Sequence, residues 1–149
     1  KNVGHDVRRL SHELIPPRFD NTSLPELVEI YCQSMTAEGG TIVKSFISKS
    51  FLRLSIPSSK ALEIYRIIQE SVSNAIKYGY SKMITVELDA NDQLGIACIT
   101  NDLSPEHPIT KDKEGIGKST LKMRTDTLKA KLDIVHNEEE YKVEVQIPL

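Results

Sequence analysis

The stretch "SKALEIYRIIQESVSNAIKY" (59–78) constrains the fold of this chain more than any other. Ala61, Tyr65, Ile68, Val72, Ala75 and Ile76 recur at steps of three and four. That spacing predicts an amphipathic helix whose apolar stripe needs a second layer to cover it. Opposite the stripe, Glu63, Arg66, Glu70, Asn74 and Lys77 fall within about 80° of one another. Such a row is what any helix lying on a sheet presents to water. Asn74, Ser71 and Ser73 argue for something more, because all three are poor helix formers deep inside a helix. An Asn oxygen and a Glu carboxylate one turn apart can share a hard cation and its water, and a Lys one turn further can reach an anionic oxygen. Magnesium-bound phosphate fits all three.

Around this helix the chain alternates helical and extended patterns. Val3, Val7, Leu10 and Leu14 form a narrow seam that expects a partner helix, and Pro16 and Pro17 stop it. A second helix is expected from about Ser23, with Pro25 in its first turn and Gly39 and Gly40 at its end. "TIVKSFI" and "FLRLSI", within 41–56, read as two short strands joined by a polar turn. Gly79 is expected to cap the long helix. "KMITVELD" and "LGIACIT" form a hairpin around Asn91 and Asp92, and "KLDIVHN" and "YKVEVQIPL" form another around the acidic turn 138–140. Between the hairpins lie a long loop, 101–115, and a helix from about 116 to 129. Long loops of this kind usually have a job. The order predicts a two-layer α+β sandwich with helices on one face of a mostly antiparallel sheet.

The bulk properties narrow the function. With 149 residues, 39% of them hydrophobic and 27% charged, the chain suits one globular domain with a short appendage. A formal charge of −2 supplies no basic field for a polyanion, so nucleic acid is disfavoured as a partner. Cys32 and Cys98 stand far apart without metal-type spacing, which favours a reducing compartment. No apolar run approaches the roughly 20 residues of a bilayer span. The chain opens on Lys1, which suggests an excised fragment.

"KEGIGKSTLKMR" places Gly115 and Gly117 at a helix start, where bare backbone N–H groups and the positive helix end suit a phosphate. A single G-x-G is equally a flexible turn. Taken together with Glu70 and Asn74 on the preceding long helix, the chain resembles the catalytic ATP-binding domain of sensor histidine kinases, the group that shares the Bergerat nucleotide fold with gyrase. The resemblance covers most of residues 40–149. "QESVSNAIKYG" is similar to the asparagine box, which implies Asn74 as the magnesium ligand, Glu70 as the catalytic acid–base and Lys77 as a phosphate contact. "GIGKSTLKMRTDTLKAKLDI" is similar to the second glycine box, with Gly115 and Gly117 on the matching glycines and 103–114 as the ATP lid. Lys118 stands where the family has leucine, either as a solvated side chain or as an extra phosphate contact. The first glycine box departs from the family: "CITNDLSPE" offers Asn101 in place of the adenine-binding Asp, followed by Asp102 and no glycine. Asn still accepts from an amino group, without the charge that strengthens the contact.

"LSHELIPP" imitates a phosphoacceptor box, and His12 lies about 180° from the apolar seam. Its helix ends at Pro16, too soon for the acceptor helix and its antiparallel partner to precede the ATP domain. "VRRLSHELIPP" is more similar to the end of the second dimerisation helix in the group of nitrate and degradation sensors, which implies an acceptor upstream of Lys1. The resemblance therefore implies a division into residues 1–38, dimerisation-helix end and linker helix, and 39–149, the catalytic domain. It further implies ATP and Mg²⁺ as ligands, a response regulator as partner, homodimerisation through the N-terminal helices, and a place in the cytoplasmic portion of a membrane-anchored sensor. Two rivals remain: an anti-sigma-factor type of serine kinase, and a catalytically degenerate module of the same fold that binds partners or dimerises.

Overall fold

A computed structural model describes residues 23–107 and 120–149 of the chain. Helix α1 (Leu24–Gly39) starts where Ser23 Oγ accepts from the Glu26 amide with Pro25 in the first turn, and ends on Gly40 at φ 73°. Strand β1 (Ile42–Ile47) follows, then a single turn α2 (Lys49–Leu52) and the long helix α3 (Ser58–Gly79). Strands β2 (Met83–Ala90) and β3 (Leu94–Asp102) form the first hairpin, helix α4 covers 120–127, and β4 (Lys131–His136) and β5 (Glu140–Pro148) close the chain.

The five strands lie in the order β1-β2-β3-β5-β4, with β1 parallel to β2 and every other pair antiparallel. A parallel pair needs a crossover, and α3 provides it. Alternation sorts the faces: Ile84, Val86, Leu88, Ala97, Ile99, Val143, Val145 and Ile147 are buried towards the helices, while Lys44, Glu87 and Lys142 stand on the other face. From the helical layer, Ile64, Ile68 and Val72 of α3 meet Val28, Tyr31 and Met35 of α1 in the same core. Each such fully buried side chain stabilises the fold by about 1.5–3 kcal/mol. The sandwich and its mixed, mostly antiparallel sheet agree with the sequence expectation. The seam around Val3–Leu14 and His12 lies outside the described residues.

Two local expectations are corrected. "FLRLSI" forms no strand: Ser48 Oγ accepts from the Phe51 amide at 3.1 Å and starts the turn α2. Phe51, only 2% exposed, anchors that turn in the core. A Ser hydroxyl offering itself to the backbone overrides the strand propensity of the residues after it. Gly79 is not the cap either. It belongs to the last turn of α3, and Tyr80 takes the left-handed position at φ 48°, donating its backbone N–H to the Ala75 carbonyl. What Gly79 provides is room: a Cβ there would lie 3.0 Å from Ser81 Oγ and 3.2 Å from Asn101 Nδ2.

Candidate functional site

The polar row of α3 is covered rather than solvated at Glu63 and Glu70. Arg124, from α4, donates through Nε to Glu70 Oε2 and through Nη1 to Glu63 Oε1, both at 3.2 Å. The Glu70 side chain is left 23% exposed. Burial pushes its carboxyl above the ordinary Glu range, and the charge and hydrogen bond of Arg124 pull the other way. Arg66, one turn before Glu70, donates through Nη1 to Gln69 Oε1 at 3.2 Å.

Asn74, one turn beyond Glu70, is half-buried, and Lys77 is exposed. Neither side chain bonds to another described residue, so the Asn74 oxygen and the Lys77 ammonium are available to a ligand. A hard cation suits the Asn74 oxygen, whereas Glu70 is already gripped by Arg124.

The end of α3 meets the end of β3 around Gly79. Ser81 Oγ donates to the Asp102 carbonyl at 2.7 Å and accepts from Asn101 Nδ2 at 2.9 Å. Asn101, 5% exposed, also donates to the Asp102 carbonyl at 3.0 Å. Both amide hydrogens are thus committed to the protein, and the Asn101 oxygen is what remains to accept from a guest. Asp102, adjacent in sequence, also holds the backbone nearby. Its Oδ1 accepts from the backbone amides of Lys82 and Met83, each at 2.9 Å, and so fixes the start of β2. Ser104 N–H reaches the Gly79 carbonyl at 3.3 Å, and His107 stacks on Tyr80 with ring centroids 3.9 Å apart. The start of the loop after β3 is therefore docked on the end of α3.

Of the residues singled out in the sequence, Glu70, Asn74 and Lys77 share one face of α3, and Asn101 and Asp102 stand at the adjoining strand end. Gly115, Gly117 and Lys118 lie outside the described residues. Arg124, Ser81 and the spatial role of Gly79 had no sequence expectation. A cleft of about 390 Å³ lined by Met83, Thr85, Thr100, Asn101, Asp102, Asn137, Glu139 and Glu140 opens near the same end. Met83 and Thr85 alternate with the buried Ile84, which puts this cleft on the open face of the sheet, away from the polar row.

No family model matches the chain. Over 103 residues, 68% of its length, it is 28% identical to an uncharacterized sensor-like histidine kinase of Chloroflexus aurantiacus, and it spans 17% of that relative's length. The histidine kinase domain of the blue-light activated histidine kinase of Erythrobacter litoralis EL346 superposes with a TM-score of 0.67 at 16% identity, over 100% of this chain and 75% of that one. The catalytic domain of histidine kinase ThkA gives a TM-score of 0.63 at 15% identity, over 84% of this chain and 90% of that domain. The fold is that of histidine kinase catalytic domains.

Proposed function

We propose that this chain is the ATP-binding catalytic domain of a sensor histidine kinase, transferring the γ-phosphoryl group of ATP to a histidine for relay to a response regulator. One observation carries the reading. Glu70 is partly desolvated and gripped, while Asn74 and Lys77 beside it are left open to a ligand, in a fold shared with histidine kinase catalytic domains.

In this reading Asn74 holds Mg²⁺, which neutralises phosphate oxygens when bound. Lys77 and the backbone of Gly115 and Gly117 position the phosphate chain for in-line transfer, with Lys118 as a further contact. Asn101 accepts from the adenine amino group through its free oxygen, and Asp102 supports that strand end. A phosphorus–nitrogen bond forms at the acceptor imidazole as the bond to the β,γ-bridging oxygen breaks and ADP leaves. The displaced imidazole proton passes to Glu70, which otherwise orients the ring. The acceptor lies upstream of Lys1, residues 1–38 comprise the end of the dimerisation helix and a linker helix, and the protein acts as a homodimer in the cytoplasm. Burial pushes the Glu70 carboxyl up, which makes it a better proton acceptor than a solvated Glu.

The Asn at position 101, where the family carries Asp, favours a second reading: a degenerate module that serves partner binding. Calorimetric titration of the chain with a non-hydrolysable ATP analogue, with and without Mg²⁺, separates the two. Magnesium-dependent binding that Asn74→Ala removes supports the kinase. A folded chain that ignores millimolar nucleotide refutes it.

A further inference from the structure

We propose that Arg124 is the positioning residue for Glu70: by bridging Glu63 and Glu70 from a separate helix, it fixes the carboxylate orientation that phosphoryl transfer needs. The proposal rests on the kinase reading above and adds to it a residue outside the nucleotide-contacting set.

The geometry is unlike an ordinary surface ion pair. Nε and Nη1 of one guanidinium go to two different carboxylates, each at 3.2 Å, instead of both going to one. Glu63 and Glu70 lie seven residues apart, two turns of one helix face, so the planar fork spans them as a rigid strut. A Glu side chain has three free torsions, and a partner that swung with it would leave it unfixed. Arg124 cannot swing with Glu70, because Glu63 holds its other nitrogen. The three side chains are 36% (Arg124), 25% (Glu63) and 23% (Glu70) exposed, so each is partly withdrawn from water without being sealed off.

The sharing also has an electrostatic effect. One positive charge divided between two carboxylates stabilises each anion less than a dedicated pair would. Of the charged groups near Glu70, Arg124 is the one that pulls its carboxyl down, and burial outweighs it. Arg66, on the same helix, is directed at Gln69, and Glu63 is the second claimant on Arg124. Glu70 thus stays oriented without being fully neutralised as a base. A residue serving only to clip α4 to α3 would contribute stability and nothing to transfer.

The test uses the protein extended upstream through its dimerisation helices and acceptor, measuring radiolabelled phosphate incorporation at saturating ATP alongside ATP affinity. Arg124→Gln is expected to lower the transfer rate about 100-fold, as misplaced catalytic groups do, with ATP affinity changed by no more than about two-fold. Arg124→Lys recovers only part of the loss, since a point charge cannot span both carboxylates. The decisive comparison is made in a Glu70→Gln background, where Arg124→Gln is expected to cost nothing further. An equal loss in both backgrounds, or an effect confined to melting temperature or ATP affinity, overturns the proposal and makes Arg124 a clip between helices. Wild-type protein that neither binds nucleotide nor incorporates phosphate refutes the kinase reading itself, and that failure appears before any substitution is made.

Discussion

Replacing Asn101 by Asp would introduce the carboxylate that the sequence resemblance leads one to expect at this position, and the surroundings of Asn101 predict that this chain resists it. The amide donates two hydrogen bonds, to Ser81 Oγ at 2.9 Å and to the Asp102 carbonyl at 3.0 Å, from a side chain 5% exposed. A carboxylate supplies neither donor. Ser81 can turn its hydroxyl to the new oxygen, but only by leaving the Asp102 carbonyl, which it now holds at 2.7 Å. Each lost bond costs about 1 kcal/mol, and a buried charge facing a carbonyl adds about 1–3 kcal/mol. Asn101→Asp is therefore expected to lose about 3 kcal/mol of unfolding free energy at neutral pH. For a domain of this size that lowers Tm by about 10 °C. The penalty depends on pH in a definite direction. Burial without donors raises the folded-state pKa of the new Asp above its unfolded value of about 3.9. Below the unfolded pKa the acid is neutral in both states, and the penalty shrinks to about one lost hydrogen bond, about 1 kcal/mol. It grows as pH rises from the unfolded to the folded pKa and is complete above the latter. Urea denaturation of both proteins between pH 4.5 and 8 measures this gap. A variant as stable as wild type at pH 7 would show that the Asn101 bonds contribute nothing, and a gap that does not widen with pH would show that the new carboxyl is not held above its unfolded pKa.

Two further outcomes follow from the same core. Gly79→Ala gains about 1 kcal/mol of helix propensity, yet its methyl would sit 3.0 Å from Ser81 Oγ and 3.2 Å from Asn101 Nδ2. Thermal melts should show no net stabilisation, and a gain approaching 1 kcal/mol would mean that Ser81 and Asn101 move aside freely. Cys32 is 1% exposed, and burial, with a smaller push from Glu29, raises its thiol to about 12. At pH 8 a disulfide reagent should therefore leave Cys32 untouched in the folded chain and react with it fully in denaturant; fast labelling of the native protein would contradict the packing of α1.

What the sequence disclosed depended on whether the information was local. The period of α3 is carried by its own residues, and so is the hairpin turn, where Asn91 Oδ1 accepts from the Gln93 and Leu94 amides at 2.8 Å each. The parallel pairing of Ile42 with Met83 was not legible, because alternation says which face a residue takes and not which strand lies beside it. Gly79 was misread for the same reason: a glycine ending a helix usually supplies positive φ, and only the approach of Ser81 and Asn101 shows that it supplies space instead.

The polar row shows where such reading stops. Periodicity put Glu63, Glu70, Asn74 and Lys77 on one face but could not choose between water and chemistry. That choice depended on what covers the face, and the covering residue, Arg124, stands 54 residues from Glu70 and 61 from Glu63. No spacing rule connects residues so far apart. A solvated row would leave every member open to water at ordinary pKa. Here two carboxylates are gripped, one is pushed up by burial, and the Asn and Lys next in line are left open. That asymmetry along a single helix face is the feature on which the proposed kinase reading rests.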